Sequence, residues 1–192
     1  MAGHRQTASR GFSLLEVLFA TTVLTVTLAG LAQLFAVATR ANSRAKATTY
    51  AVILAQQKME QLRNLTYAFD SRGLPITDLD TDITVVPEWP SGGTGLQPSP
   101  AGALGANTVG YVDYLDANGT SLGGLAAIPP PGAVYIRRWS VEPLPLNPNN
   151  TIVLQVLVTR ARHRGLADSA TGVVTRLPDE ARIVAVKTRK AS

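Results

Sequence analysis

The sequence predicts an α+β fold: a long N-terminal α-helix, membrane-spanning in its first half, packed on a C-terminal antiparallel β-sheet head. Three observations predict it. An uncharged run of 22 residues extends from Val17 to Ala38. Helix breakers are then scarce, with no proline before Pro75 and no glycine between Gly30 and Gly73. The last third of the chain carries three strand-like segments, "AVYIRRWSVEPL" at 133–144, "TIVLQVLVTRA" at 151–161 and "ARIVAVKTR" at 181–189.

The apolar run is long enough to span. A helix rising about 1.5 Å per residue needs roughly 20 apolar residues to cross a bilayer core. Gln33 and four threonines, Thr21, Thr22, Thr25 and Thr27, are its polar exceptions. Threonine hydroxyls can bond to carbonyls one turn earlier, which makes them tolerable in lipid. A buried helix of a soluble protein fits less well, because uncharged runs of this length are uncommon there. "AVA", 36–38, has the form of a secretory cleavage site. The run ahead of it exceeds the usual span of about 7–15 residues, and Glu16 stands where a basic region should end. The flanking cations give no orientation: Arg5 and Arg10 precede the run, and Arg40, Arg44 and Lys46 follow it.

Helical spacing continues beyond Ala38. Ala47, Ala51, Leu54, Leu62 and Leu65 recur at steps of three, four or eight, and Lys58 interrupts the stripe with Met59 beside it. One helix is expected from Phe12 to about Thr66, about 80 Å long. Its half from 39 to 66 is amphipathic and lays that stripe on the head.

Glu16 is the anomaly. A charge at the bilayer centre costs about 2.5–3.5 kcal/mol, less near a segment end, and a helix dipole favours an acid in the first turn. It reads either as a helix-start acid at the interface or as a carboxylate awaiting a buried cation. A new N-terminus at Phe12 would supply that cation from a neighbouring subunit, since an α-amine has a pKa of about 7.7–8.

"RGFSLLEVL", residues 10–18, resembles the processing site of type IV prepilins and type II secretion pseudopilins. The likeness comprises a short basic leader, Gly11, Phe12, and an apolar run containing Glu16. It implies removal of leader 1–11 by a prepilin peptidase, N-methylation of Phe12, and pairing of Glu16 with a neighbour's N-terminal amine on assembly. It implies a single-pass protein of the bacterial inner membrane, head outside the cytoplasm, and then a filament. The expected partners are other pilin or pseudopilin subunits, the peptidase, an inner-membrane assembly platform and membrane lipid. "LAQQKMEQLRNL", 54–65, is similar to minor pilins of the PilV-like kind. Many major pilins carry a proline midway along the spanning helix and a C-terminal disulfide. This chain has Gly30 and no cysteine, which favours a minor subunit. A minor pseudopilin of a type II secretion system is the alternative, and a membrane-anchored DNA-binding pilin ranks below both.

Residues 67–132 are expected to be loop-rich, with short strands near 83–87 and 109–115 and a long mobile loop at 88–107. The antiparallel sheet occupies 133–192. Within it "PLNPNN", 145–150, makes a hairpin of two strands, and Ile152, Leu154, Val156 and Val158 share one face.

Other signals are weaker. "DLDTD", 78–82, and "DYLDANGTS", 113–121, resemble calcium loops. The second puts Tyr114 and Leu125 where the strongest carboxylate ligands belong, so an Asn-Gly type I′ hairpin is the better reading. Charge is uneven. Residues 73–136 hold six acids and no Lys or Arg, and 137–192 hold ten Lys/Arg and four acids. The basic end, "TRARHRG" at 159–165 with Arg176, Arg182, Lys187, Arg189 and Lys190, reads as a solvated strand edge, then as a contact for an acidic subunit surface. Nucleic acid is not an expected partner. No catalytic, cofactor or metal site is expected: His4 lies in the leader, His163 stands alone, and no nucleophile–base pair is recognisable.

Overall fold

The computed structural model of the chain describes residues 13–78, 95–123, 126–163 and 179–190. The chain forms two compact units, residues 1–44 and 45–192. Helix α1, Leu14–Asn64, runs through that boundary for 51 residues. Ser13 precedes it, and the Ser13 carbonyl accepts the first helical hydrogen bond from Val17 N–H at 3.2 Å. Ser13 and Glu16 have the S-x-x-E spacing of a capping box, a local reason for the helix to start here. The helix ends two residues before the expected Thr66. Thr66 N–H donates instead to the Asp78 carboxylate at 2.5 Å, and Lys187 Nζ donates to the carbonyls of Arg63, at 2.5 Å, and Leu65. The Lys187 bond to Arg63 O satisfies one of the carbonyls a helix C-terminus leaves unpaired, and the Asp78 bond fixes the chain just beyond it.

Two short strands follow, β1 (Tyr67–Phe69) and β2 (Pro75–Thr77), paired antiparallel. Then come β3 (Val112–Leu115), β4 (Tyr135–Pro143), β5 (Thr151–Arg160) and β6 (Ala181–Thr188). These four make one antiparallel sheet in the order β3-β4-β5-β6. The β4–β5 hairpin is the one expected around "PLNPNN". The strand expected at 109–115 is β3, and the one near 83–87 lies outside the described residues.

The helix stripe and one sheet face make the core. Ala47, Ala51, Leu54, Leu62 and Leu65 are all buried, as their spacing predicts. Ile152, Leu154, Val156 and Val158 of β5 meet Ala51, Leu54, Leu62 and Leu65 in one cluster with Trp139 and Val141 of β4. Lys58 does not interrupt the stripe. It is fully buried on it, because sheet residues across from it supply an acid and an aromatic face.

The loop-rich region is more structured than its composition suggests. Residues 95–107 are not a free loop, since Leu96 and Ala103 are buried. This segment, through Ser99, and Tyr111 beyond it also complete β4, whose far half runs past the end of β3. Trp139 N–H donates to Tyr111 O at 3.0 Å, and Val141 N–H donates to Ser99 Oγ at 3.1 Å. Tyr111 Oη in turn donates to the carbonyls of Gln97 and Pro98. Residues 88–94 of the same expected loop lie outside the described residues.

"LDANGT" makes a hairpin turn, but not of type I′. That type needs positive φ at both central residues. Asp179 is the one described non-glycine residue with positive φ, so Asn118 does not qualify. Gly119 N–H donates to Asp116 O at 3.2 Å, and Gly119 itself is left-handed at φ 80°. That geometry fits a type I turn followed by a left-handed glycine. Asp116 Oδ1 accepts the N–H groups of Asn118 and Thr120, both at 2.8 Å. Asp70 builds the same device between β1 and β2, accepting from Arg72 and Leu74 with Gly73 at φ 75°.

Gly119 also lies hard against α1. A Cβ there would sit 2.8 Å from Tyr50 Oη and 2.9 Å from Leu54 Cδ2. Gly119→Ala should therefore lower stability by about 2 kcal/mol or more, combining left-handed strain with the clash. Thermal unfolding of the full chain in detergent measures this, with Gly73→Ala as the comparison at the same φ in open space.

Candidate functional site

Glu16 lies in the first turn of α1 and is exposed. Gly11 and Phe12, the expected cleavage and methylation positions, lie outside the described residues, as do leader residues 1–10. Beyond Glu16 every large apolar side chain of the run is exposed, from Leu18 and Phe19 through Leu34, Phe35 and Val37. The most apolar 18-residue window of α1 has mean hydropathy 2.0 and none of it is buried. The helix is long and apolar enough to cross a membrane.

The threonine hydroxyls of this stretch are internally matched. Thr21 Oγ1 donates to Val17 O at 2.9 Å, Thr22 to Leu18 O at 2.8 Å, Thr25 to Thr21 O at 2.7 Å and Thr27 to Val23 O at 2.8 Å. All four hydroxyls bond back one turn, as the sequence suggested. Each leaves no donor needing water, the condition for surviving in a lipid or helix-lined interior. Glu16 is the one charged side chain on this surface, and Gln33 is its other exposed polar group besides these threonines. Gly30 keeps the helix intact and has open space around it.

At its other end α1 is fastened through charge. Asp113 of β3 and Arg137 of β4 are cross-strand partners, so their side chains share the inner sheet face. Arg137 grips Asp113 bidentately, Nε to Oδ1 at 2.9 Å and Nη2 to Oδ2 at 2.7 Å. Its Nη1 donates to Leu54 O of the helix at 3.1 Å. Lys58 Nζ lies 3.9 Å from the same Asp113 Oδ2 and 3.8 Å from the centre of the Trp139 ring. Two cations and one anion are thus buried together, with the indole face holding part of the excess positive charge. The sequence reading missed this cluster. Its only signal was a lysine on an apolar stripe, opposite an Asp and an Arg alternating inward on later strands.

The basic end is not simply a solvated edge. Lys187 reaches the helix end as described above. Arg189 stacks on Tyr67 with its guanidinium 4.0 Å from the ring centre. It also donates to Asn149 O, Ala68 O and Ile76 O. These contacts tie the β6 end to β1 and β2, so both side chains are spent inside the head. Arg182 and Lys190 remain exposed, and Arg176 lies outside the described residues. Burial pulls the Lys187 amine below its ordinary 10.5, and Lys190 adds to this, while Asp78 opposes it and Arg63 reinforces it.

Asp116 spends its carboxylate on its own turn, which argues against a calcium role there. Of "DLDTD", Asp78 faces Thr66 N–H, and the rest lies outside the described residues. No protein-family model, curated protein or solved structure matches the chain.

Two predictions follow from these charges. Asp113→Ala leaves Lys58 and Arg137 buried against each other and should cost about 3–5 kcal/mol. Adding Lys58→Met and Arg137→Met should return most of that, since no unpaired charge remains. Urea midpoints of the full chain in detergent report both, and a loss under ~1 kcal/mol for Asp113→Ala would show that the cluster does not hold the helix. For Lys187 the sign is fixed by linkage. Between its depressed value and 10.5 the unfolded chain holds a proton there that the folded chain lacks, so this group makes stability rise with pH. Unfolding measured from neutral pH to about pH 11 should show a rise that Lys187→Met removes.

Proposed function

We propose that this chain is a structural subunit, of the minor kind, in a type IV pilus-like filament assembled from the bacterial inner membrane. A prepilin peptidase would cut after Gly11 and methylate the Phe12 amine. The observation that carries the reading is α1 itself. One half, residues 14–38, exposes an apolar surface whose single charged side chain is an acid in the first turn. Its other half is built into a folded head through buried side chains. Such a helix suits two surroundings in turn, a bilayer before assembly and a bundle of similar helices afterwards.

The chemistry of assembly follows from Glu16. In the bilayer its carboxylate sits near the segment end, where solvation is still within reach. In a bundle of helices it would meet the Phe12 amine of a neighbour, and a staggered contact between copies propagates as a filament rather than closing as a ring. Burying an ion pair gains little net energy but penalises any register that leaves either charge alone. Glu16 would therefore set stagger, while apolar packing would drive association. The internal use of Lys187 and Arg189 weighs against a DNA-binding head, because those cations are already engaged.

Intact mass and N-terminal sequence of the membrane-extracted protein test this. The expected product begins at Phe12 and carries one added methyl group. A product still beginning at Met1 or Ala2, in cells with an active prepilin peptidase, would overturn the reading in favour of a plain membrane anchor.

A further inference from the structure

The chain contains three Asn-x-Thr triplets: Asn64-Leu65-Thr66, Asn118-Gly119-Thr120 and Asn149-Asn150-Thr151. An Asn-x-Thr triplet without a central proline is the acceptor pattern for N-linked saccharide in proteins exposed outside the cytoplasm. The structure separates the three. Asn64 is the last residue of α1, and its triplet is pinned by buried Leu65 and by the Thr66 N–H bond to Asp78. In the third triplet, Asn149 O accepts bonds from Tyr67 Oη and Arg189 Nε, and Thr151 is buried at the start of β5. Asn64 and Asn149 are themselves exposed, but each of these triplets has a buried member, Leu65 or Thr151.

The middle triplet is also held by N–H bonds, to Asp116, but none of its three residues is buried. It occupies the tip of the turn before β4, and Ala117, Asn118 and Thr120 are all exposed. The Asn118 backbone N–H is held by Asp116, while no described residue bonds its side-chain amide. Gly119 packed against Tyr50 and Leu54 fixes the base of the turn and leaves its rim outward.

We infer that Asn118 is an acceptor site for an N-linked saccharide delivered by a membrane oligosaccharyltransferase from a polyprenyl-diphosphate donor. Asn118 Nδ2 forms a bond to the sugar's anomeric carbon. The bond from that carbon to the diphosphate oxygen breaks, and one amide proton leaves to the transferase's base. The Thr120 hydroxyl orients the amide from within the triplet. The inference rests on the filament reading in one respect, since it needs the head outside the cytoplasm.

The test is peptide mass spectrometry on full-length protein purified from the membranes of its own organism. A saccharide mass is expected on the peptide containing Asn118. It should disappear in Asn118→Gln and Thr120→Ala and persist in Thr120→Ser, which keeps the hydroxyl. An unmodified Asn118, or one merely hydrolysed to aspartate, would overturn the inference, as would saccharide on Asn64 or Asn149 instead. The N-terminal peptide of the same sample separates the two readings. Bare Asn118 beside a mature Phe12 terminus rejects the acceptor site alone, and bare Asn118 beside an intact Met1 rejects both. A saccharide beside an uncleaved leader upholds the acceptor site and rejects the filament.

Discussion

The Asp113 carboxylate is the point on which the head turns. It is fully buried and held by Arg137 from the neighbouring strand, with Lys58 approaching from the helix. Arg137 closes the arrangement by donating to the Leu54 carbonyl. Apolar contacts along the stripe alone would tolerate a helix slid by a turn. Charges do not, because a slid Lys58 or an ungripped Asp113 would be buried without compensation. Register between α1 and the sheet is therefore set electrostatically, and hydrophobic burial supplies the energy that holds it.

That division of labour reappears at the other features of the head. The end of α1 is finished by two side chains from distant parts of the chain, Asp78 and Lys187. The uncovered half of β4 is finished by Tyr111 and Ser99. Backbone groups that the short elements leave open are closed by Asp78, Ser99 and Tyr111 from "loop" sequence and by Lys187 from β6. A region rich in glycine and proline can thus be structurally committed without long strands of its own. The N-terminal stretch of α1 needs the opposite logic. Its threonines bond to their own helix, so Glu16 is the only charge there that calls for a partner.

How much of this was legible depended on whether the signal was periodic. The α1 stripe, the β5 face and the β4–β5 hairpin follow from spacing, and Ala47 through Leu65 and Ile152 through Val158 lie where spacing put them. Lys58 was misread because periodicity scores a lysine as a break, whereas its partners Asp113 and Arg137 come from strands read separately. Strands β1 and β2 were missed because each is three residues long. The Asp-x-x-Gly spacing at Asp70–Gly73 and Asp116–Gly119 would have found both hairpin turns. The type I′ reading failed because it used the Asn-Gly pair and overlooked the aspartate two residues earlier. For the candidate site, Glu16 stands out in the sequence as the one acid on an apolar run, and the structure adds the back-bonded threonines around it. Gly11 and Phe12 rest on the resemblance of "RGFSLLEVL" alone.

The account turns on Glu16 being needed for assembly and dispensable for insertion. The direct measurement compares wild type with Glu16→Ala in two fractions from the same cells, the membrane and the filaments sheared from the surface or pelleted after overproduction. The account predicts membrane levels near wild type and a depleted filament fraction for the variant. A Glu16→Ala protein recovered in filaments at the wild-type level would contradict it, and would leave that carboxylate as no more than a helix-start residue.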